Sequence, residues 1–404
     1  MLMNPLLERL YRLAQKPERR IIGLMSGTSL DGLDVALCRL AGSGTQTRVV
    51  LEHFTTVAYE ETFKDSIRAV FAKKQVDFEH LTLLNARIGE QHGRWVAACL
   101  SGWNVPAESV DLVASHGQTV YHAPQKQHQQ PGYGNATLQL GDGDHVAAQT
   151  GIITLSDFRQ RHIAHGGEGA PLAVYGDYFI FSQANEDRIM LNMGGIANYT
   201  YLPGSLDAGV VFTTDTGPGN TILDAYARLF LNKPYDENGQ FAATGRISDD
   251  LLSALLDHPF FAQPFPKTTG PEVFNQAYVR QAQQRSQTAC LSAEDLMATL
   301  TRFSAESIAR ALEQTLREHP APTTGVQVFM SGGGAHNTLL VNILRQRLPT
   351  CTFRLTSELG IDGDAKEAVL FAVLANECVA GAGTLFGNRQ GVPSVSMGKI
   401  SFPN

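Results

Sequence analysis

No run of lysine or arginine interrupts this 404-residue sequence, and its formal net charge is −7. Gripping a phosphate backbone takes clustered positive charge, so nucleic acid is not an expected partner. No stretch of about 18 consecutive apolar residues is present, so no membrane span is expected. The first 19 residues hold no uninterrupted apolar segment ahead of a small-residue cleavage site. They read as a short amphipathic extension and not as a signal peptide. Cysteine is scarce: Cys38, Cys99, Cys290, Cys351 and Cys378 are scattered, and none forms a CxxC pair. That argues against a disulfide framework and for reduced thiols in a cytoplasmic protein. Both standard phosphate fingerprints, GxxxxGK[ST] and GxGxxG, are also missing.

Against those absences stands ordinary globular chemistry, 43% hydrophobic and 18% charged, at a length for about two or three domains. Strand and helix patterns alternate from end to end, which predicts an α/β fold. "VDFEHLTLLNARIGEQHGRWVAACLSGW" carries Leu81, Leu84, Ile88, Trp95 and Val96 at helical spacing. "DGDAKEAVLFAVLANECVAG" reads as a helix opened by an Asp364–Glu367 capping box and ended by glycine. Asn232 to Phe274, rich in Pro, Gly and Phe, reads as irregular surface structure.

One layout occurs twice. "IIGLMSGTSLDGLDVALCRL" and "RIMLNMGGIANYTYLPG" are each an apolar strand, a small-residue turn and a second strand. The repeat predicts two similar α/β halves. Backbone N–H groups approach phosphate oxygens closely only where side chains are small. In the first turn Gly27 and Gly32 give that room, Ser26, Thr28 and Ser29 add hydroxyls, and Asp31 and Asp34 could hold a metal-bound water. An ordinary hairpin turn explains the same residues. "DTGPGN" sets Asp215 at a strand end before a helix N-terminus, a place for catalysis or for a cap. "SGGGAHN" gives Gly332, Gly333 and Gly334 at another strand-to-helix junction, suited to a flat ring or to close packing.

Taken in order, "MSGTSLDGLDVAL", "SHGQTVYH", "LQLGDG", "SDFRQRHIAHGGEGAPL", "LNMGGIAN", "DTGPGN", "SGGGAHN" and "DGDAKEAVLFAVLA" resemble the anhydro-N-acetylmuramic acid kinases. These sit in the hexokinase, heat-shock-protein and actin superfamily. The resemblance covers Ile21 to about Val395. It implies two actin- or hexokinase-like α/β domains facing each other across an active-site cleft. It implies ATP and Mg²⁺ as cofactors and an amino sugar as the small-molecule substrate, with a homodimer compatible. The implied reaction opens the 1,6-anhydro ring of 1,6-anhydro-N-acetylmuramic acid with water and phosphorylates O6, giving N-acetylmuramic acid 6-phosphate and ADP in peptidoglycan recycling.

Position by position, the resemblance implies an ATP loop of Gly27, Thr28, Ser29, Leu30, Asp31, Gly32, Leu33 and Asp34, with Gly194, Gly195, Gly332, Gly333 and Gly334 near the nucleotide. Asp215 becomes the base that activates water. His116, Arg159 and Glu168 line the sugar site. Metal ligands are not assigned. Arg159 suits a bidentate fork on the lactyl carboxylate, or a structural role. His116 suits a donor to a sugar oxygen, or a satisfied core histidine.

The chain departs from the family pattern at Glu168, where Gln is expected, and at Pro271, where a basic residue is usual. An ionised Glu only accepts hydrogen bonds, so sugar selectivity is where a difference is expected. Another sugar kinase of the superfamily and a nucleotide-sensing ATPase are the rival readings. Domain bounds are expected at 20–155 plus 385–404 for the first domain and 156–384 for the second.

Overall fold

The computed structural model describes residues 4–319, 325–361, 363–387 and 392–403. Two compact units emerge, one of residues 1–181, 208–210 and 360–404, the other of residues 182–207 and 211–359.

The first unit opens on helix α1 (Pro5–Gln15), started by the Asn4 side chain accepting from Leu6 N–H and by Pro5 at the first turn. The antiparallel hairpin β1 (Glu18–Ser26) and β2 (Gly32–Ala41) follows, with β3 (Arg48–Ala58) paired to β2. After α2 (Glu61–Arg68), α3 (Phe78–Gly102) buries Leu84, Ile88, His92, Val96 and Cys99 on one stripe. β4 (Leu112–Ala123) runs parallel to β1 and pairs with β5 (Ala136–Leu140). α4 (Gln125–His128) lies between them, and α5 (Gly143–Thr150) leads to β6 (Ile153–Ser156), parallel to β4. α6 (Phe158–Ala164) and α7 (Ala173–Phe181) close this stretch.

In the second unit, the hairpin β7 (Arg188–Met193) and β8 (Ile196–Leu202) is extended by β9 (Phe212–Pro218), antiparallel to β8. α8 (Thr221–Leu231), α9 (Asp249–Leu256), α10 (Gln276–Arg285) and α11 (Ala293–Glu318) follow. β10 (Val326–Ser331), α12 (Thr338–Arg347) and β11 (Cys351–Leu355) complete the sheet in the order β11-β10-β7-β8-β9. The chain then returns to the first unit as α13 (Lys366–Ala380) and β12 (Lys399–Ser401), which pairs with β6.

The first sheet runs β12-β6-β4-β1-β2-β3 with β5 beside β4. Its β6-β4-β1-β2-β3 portion repeats the second sheet strand for strand, parallel and antiparallel steps included. The α/β reading and the two similar halves therefore hold.

Several local expectations change. Residues 156–181 and 360–384, expected in the second domain, lie in the first unit. α13 is buried along most of its length and packs on β1, β2 and α7. A methyl at Gly23 would meet the Ala368 carbonyl at 1.8 Å, so helix and strand backbones touch. Residues 4–19 are not a separate extension: α1 packs on α13, and β1 starts at Glu18. The Asp364–Glu367 capping box does not form. The cap position is Ala365, without a side-chain bond. Asn232–Phe274 is not merely surface, since it contains α9 and buries Leu251, Leu255, Phe260 and Phe274 in the second core.

Candidate active site

In the first unit the β1–β2 turn pushes Thr28, Ser29 and Asp31 into solvent, while Leu30 and Leu33 point into the core. Leu30 has φ +60 and closes the turn by donating its N–H to Gly27 O at 3.4 Å. Gly32 is required by the fold, because a methyl there would sit 2.4 Å from the Val57 carbonyl. Gly27 is not: its nearest neighbour would be Ser29 Oγ at 3.4 Å, an ordinary contact. Packing alone does not demand glycine at 27.

Asp34, at the start of β2, accepts from Thr56 Oγ1 at 2.6 Å. Burial raises its carboxyl above the usual range, and the charges of Asp364 and Asp31 push the same way. This cluster of like charge is what a divalent cation would relieve. Mg²⁺ takes one or two carboxylates and leaves its other positions to water and phosphate. Asp34 and Asp31 offer carboxylates of that kind at the turn. Among the described residues no three or more His, Cys, Asp or Glu are grouped so that they could hold a metal ion.

Around β4 and α6, the buried His116 accepts at Nε2 from Arg159 Nε at 2.8 Å, and Arg159 also donates from Nη1 to Gly169 O at 2.6 Å. Burial first, then the guanidinium, hold His116 well below its usual pKa, so it is the neutral acceptor. His116 thus orients Arg159 through Nε2, and that nitrogen, being an acceptor here, is no donor to a sugar oxygen. Burial lowers Arg159, while Glu367 on α13 opposes that shift. Glu367 is itself raised by burial, with Arg159 and Lys366 acting against it. Sequence reading treated Glu367 as a cap. Only the packing of α13 on the first sheet brings it to Arg159. Glu168 carries its extra charge into an ion pair with Lys126 at 2.9 Å.

In the second unit Asp215 lies within β9, opposite Asn198, and not at the strand's end. Its N–H donates to Lys267 O at 3.0 Å, and its Oδ2 accepts from Thr269 N–H at 2.8 Å. The helix that follows starts at Asn220, so Asp215 is no cap. Burial raises the Asp215 carboxyl, the Thr269 amide opposes this, and Glu272 adds to it. Thr269 carried no signal in the sequence.

Gly194 and Gly195 make the β7–β8 turn, whose carbonyls accept from the N–H groups of Gly219, Asn220 and Thr221 at 2.8–3.1 Å. Gly195, Gly332 and Gly334 are held by packing: a methyl would meet Thr221 Oγ1 at 2.6 Å, Asn192 Oδ1 at 2.7 Å and Met193 Cβ at 2.7 Å respectively. Gly194 and Gly333 have free space to 3.6 and 3.5 Å. Gly333 opens on a cavity of about 430 Å³ whose wall includes Asn220, Leu223, Asp224, Met297 and His336.

A family model described as anhydro-N-acetylmuramic acid kinase matches residues 19–399. A protein of that name from Pseudoalteromonas atlantica is 56% identical, covering 100% of both chains. Another, from Pseudoalteromonas translucida, is 53% identical over 99% of this chain and 100% of its own. One from Caldanaerobacter subterraneus is 35% identical over 98% of this chain and 100% of its own. No helix among the described residues is long and apolar enough to cross a membrane.

Proposed function

The chain belongs to the anhydro-N-acetylmuramic acid kinase family, and we propose that it uses ATP to phosphorylate O6 of 1,6-anhydro-N-acetylmuramic acid while water opens the anhydro bridge. The products are N-acetylmuramic acid 6-phosphate and ADP, formed in cytoplasmic recycling of peptidoglycan. The observation that carries the reading is Asp215. One carboxylate oxygen is fixed by Thr269 N–H, the other is left for a water, and the group is made more basic by its surroundings.

In this reading the cavity beside Gly333 takes the nucleoside. Leu223 and Met297 supply apolar surface for the base, and Asp224 and Asn220 accept from ribose hydroxyls. The β1–β2 turn takes the phosphates through its backbone N–H groups. Asp31 and Asp34 would hold a water of a Mg²⁺ ion, which when bound would neutralise charge on the phosphate oxygens. Arg159, oriented by His116 and by Gly169 O, spares its Nη2 for a sugar carboxylate. Asp215 takes a proton from water as that water attacks the anomeric carbon. The C1–O6 bond breaks, and O6 is freed as the nucleophile for the γ-phosphoryl group.

ADP release measured with and without the anhydro sugar tests the whole scheme. Release should depend strictly on sugar. Turnover without it would indicate a nucleotide-sensing ATPase. Equal use of N-acetylglucosamine or of unbridged N-acetylmuramic acid would indicate a different sugar kinase.

The acid limb of kcat/KM gives a second check. A base works only when ionised, and the Asp215 pKa is raised, so activity should fall with decreasing pH above the ordinary aspartate value of about 3.9. Glu272→Gln removes one cause of that rise. The limb should then move toward lower pH, more clearly at low ionic strength because Glu272 is exposed. An unmoved limb at low salt would detach it from Asp215.

A further inference from the structure

Four buried side chains run in a hydrogen-bonded line beneath the β1–β2 turn, and neither the fold nor the chemistry above uses them. Gln118, on β4, donates from Nε2 to Gly27 O and to Thr119 O, both at 3.2 Å. Two carbonyl partners fix which end of the amide is nitrogen. Its Oε1 therefore accepts from Ser26 Oγ. A serine hydroxyl has one proton, and this one is spent on Gln118. So Ser26 accepts from Tyr59 OH, 2.7 Å away. The single proton of Tyr59 is now spent in turn, and Tyr59 accepts from His92 Nε2 at 3.1 Å.

Donor counting thus gives the whole line one sense, from His92 through Tyr59 and Ser26 to Gln118 and the Gly27 carbonyl. His92, at 0% exposure, is pushed down to about 3 by burial and stays neutral, with its proton on Nε2. Tyr59 is held in place by stacking on Trp95 at 5.2 Å and by an edge contact with Phe63 at 4.9 Å.

The consequence lies at the turn. A trans peptide sets the C=O of one residue antiparallel to the N–H of the next. With Gly27 O drawn inward to Gln118, Thr28 N–H faces outward, on the side where Thr28 and Ser29 are exposed. Among the described residues neither Thr28 N–H nor Ser29 N–H has a protein acceptor. We propose that Gln118, backed by Ser26, Tyr59 and His92, is a positioning residue that locks the Gly27–Thr28 peptide with its N–H presented to an ATP phosphate. This rests on reading the turn as a phosphate site.

Gln118→Leu keeps the bulk and removes all three bonds, to Gly27 O, Thr119 O and Ser26 Oγ. Losing the fixed amide should weaken ATP binding about tenfold or more, since Gly27 O then keeps only the long 3.4 Å bond from Leu30 N–H and the peptide can tilt away from the phosphate. Adenosine binding should change by less than about twofold, because its cavity is lined by the second unit. KM for ATP should rise more than kcat falls. Tyr59→Phe keeps the stacking and leaves the Ser26–Gln118 bond, so ATP affinity should drop only about twofold to fourfold while the melting temperature falls at least as far. A purely structural role would instead make affinity follow stability across the two variants.

Isothermal titration with ATP and adenosine, beside melting curves, reads all of this. A folded Gln118→Leu that binds ATP within about twofold of wild type overturns the proposal, since the Gln118 bond to Gly27 O would then not set the peptide. Equal losses for ATP and adenosine also overturn it. Should Gln118→Leu not fold, Tyr59→Phe decides the matter, and unchanged ATP affinity there counts against the proposal. Gly27→Val in the same series separates the two layers. Normal ATP binding in Gly27→Val removes the phosphate site itself, whereas loss in Gly27→Val with none in Gln118→Leu removes only the positioning role.

Discussion

Asp215→Asn should lower kcat for sugar-dependent ADP release by about 10²- to 10⁴-fold, the usual weight of a general base. The substitution suits the site. Asn keeps the size, and its amide oxygen can still accept from Thr269 N–H, while the backbone bond to Lys267 O is untouched. Only the proton acceptor facing the water is lost. Because O6 is released as the anomeric carbon is attacked, ring opening and phosphoryl transfer should fall together, and neither product should outrun the other. ATP binding should persist, since Asp215 lines neither the β1–β2 turn nor the cavity at Gly333. The sign of the stability change follows from the pKa. A carboxyl raised by burial destabilises the folded state wherever it is ionised, so removing that charge should leave the melting temperature at pH 7 equal or higher. A folded, nucleotide-binding Asp215→Asn enzyme within about threefold of wild-type kcat, far short of a general-base loss, would leave the reaction without its base.

The elements were legible where local chemistry sets them. Alternating apolar runs and glycine turns gave the two hairpins, because strand period and turn chemistry are properties of neighbouring residues. The pairing order was not legible, and neither was the home of α13. That helix is apolar on nearly every side, and a helix buried all round carries no stripe to say which sheet it joins. Glu367 went unrecognised for the same reason. Its partner Arg159 is remote in the chain, and its position three residues after Asp364 imitated a helix start.

His92 is different, because a signal existed. It stands four residues after Ile88 and eight after Leu84, on the buried stripe of α3. A titratable group on such a stripe must be hydrogen-bonded or functional. Asp215 was found by its glycine-rich surroundings, but its strand interior and its Thr269 partner depend on how 267–269 lies against β9, which no local pattern encodes. The glycines themselves were overread as a group. Gly32, Gly195, Gly332 and Gly334 are glycine because a neighbouring atom occupies the place of a side chain, and only Gly27, Gly194 and Gly333 are left for a ligand to explain.

Gly27→Val follows from that distinction and should be the most damaging single change to ATP binding in the first unit. The valine Cβ meets nothing nearer than 3.4 Å, and Gly27 is not in the left-handed region, so the hairpin should form with its melting temperature nearly unchanged. What changes is the outer face of the turn. Two methyl groups beside Thr28 N–H and Ser29 N–H keep phosphate oxygens from closing to about 2.9 Å, the distance at which N–H groups bind them. Bonds from backbone N–H to an ionised oxygen contribute about 1.5–3 kcal/mol each, so losing two weakens ATP by about 10²-fold or more. Adenosine carries no phosphate and should bind as before. The ratio of ATP to adenosine affinity, measured by calorimetry, is therefore the quantity to follow. If that ratio stays at the wild-type value in a folded Gly27→Val protein, the β1–β2 turn is a hairpin turn and nothing more, and the phosphates must be held elsewhere.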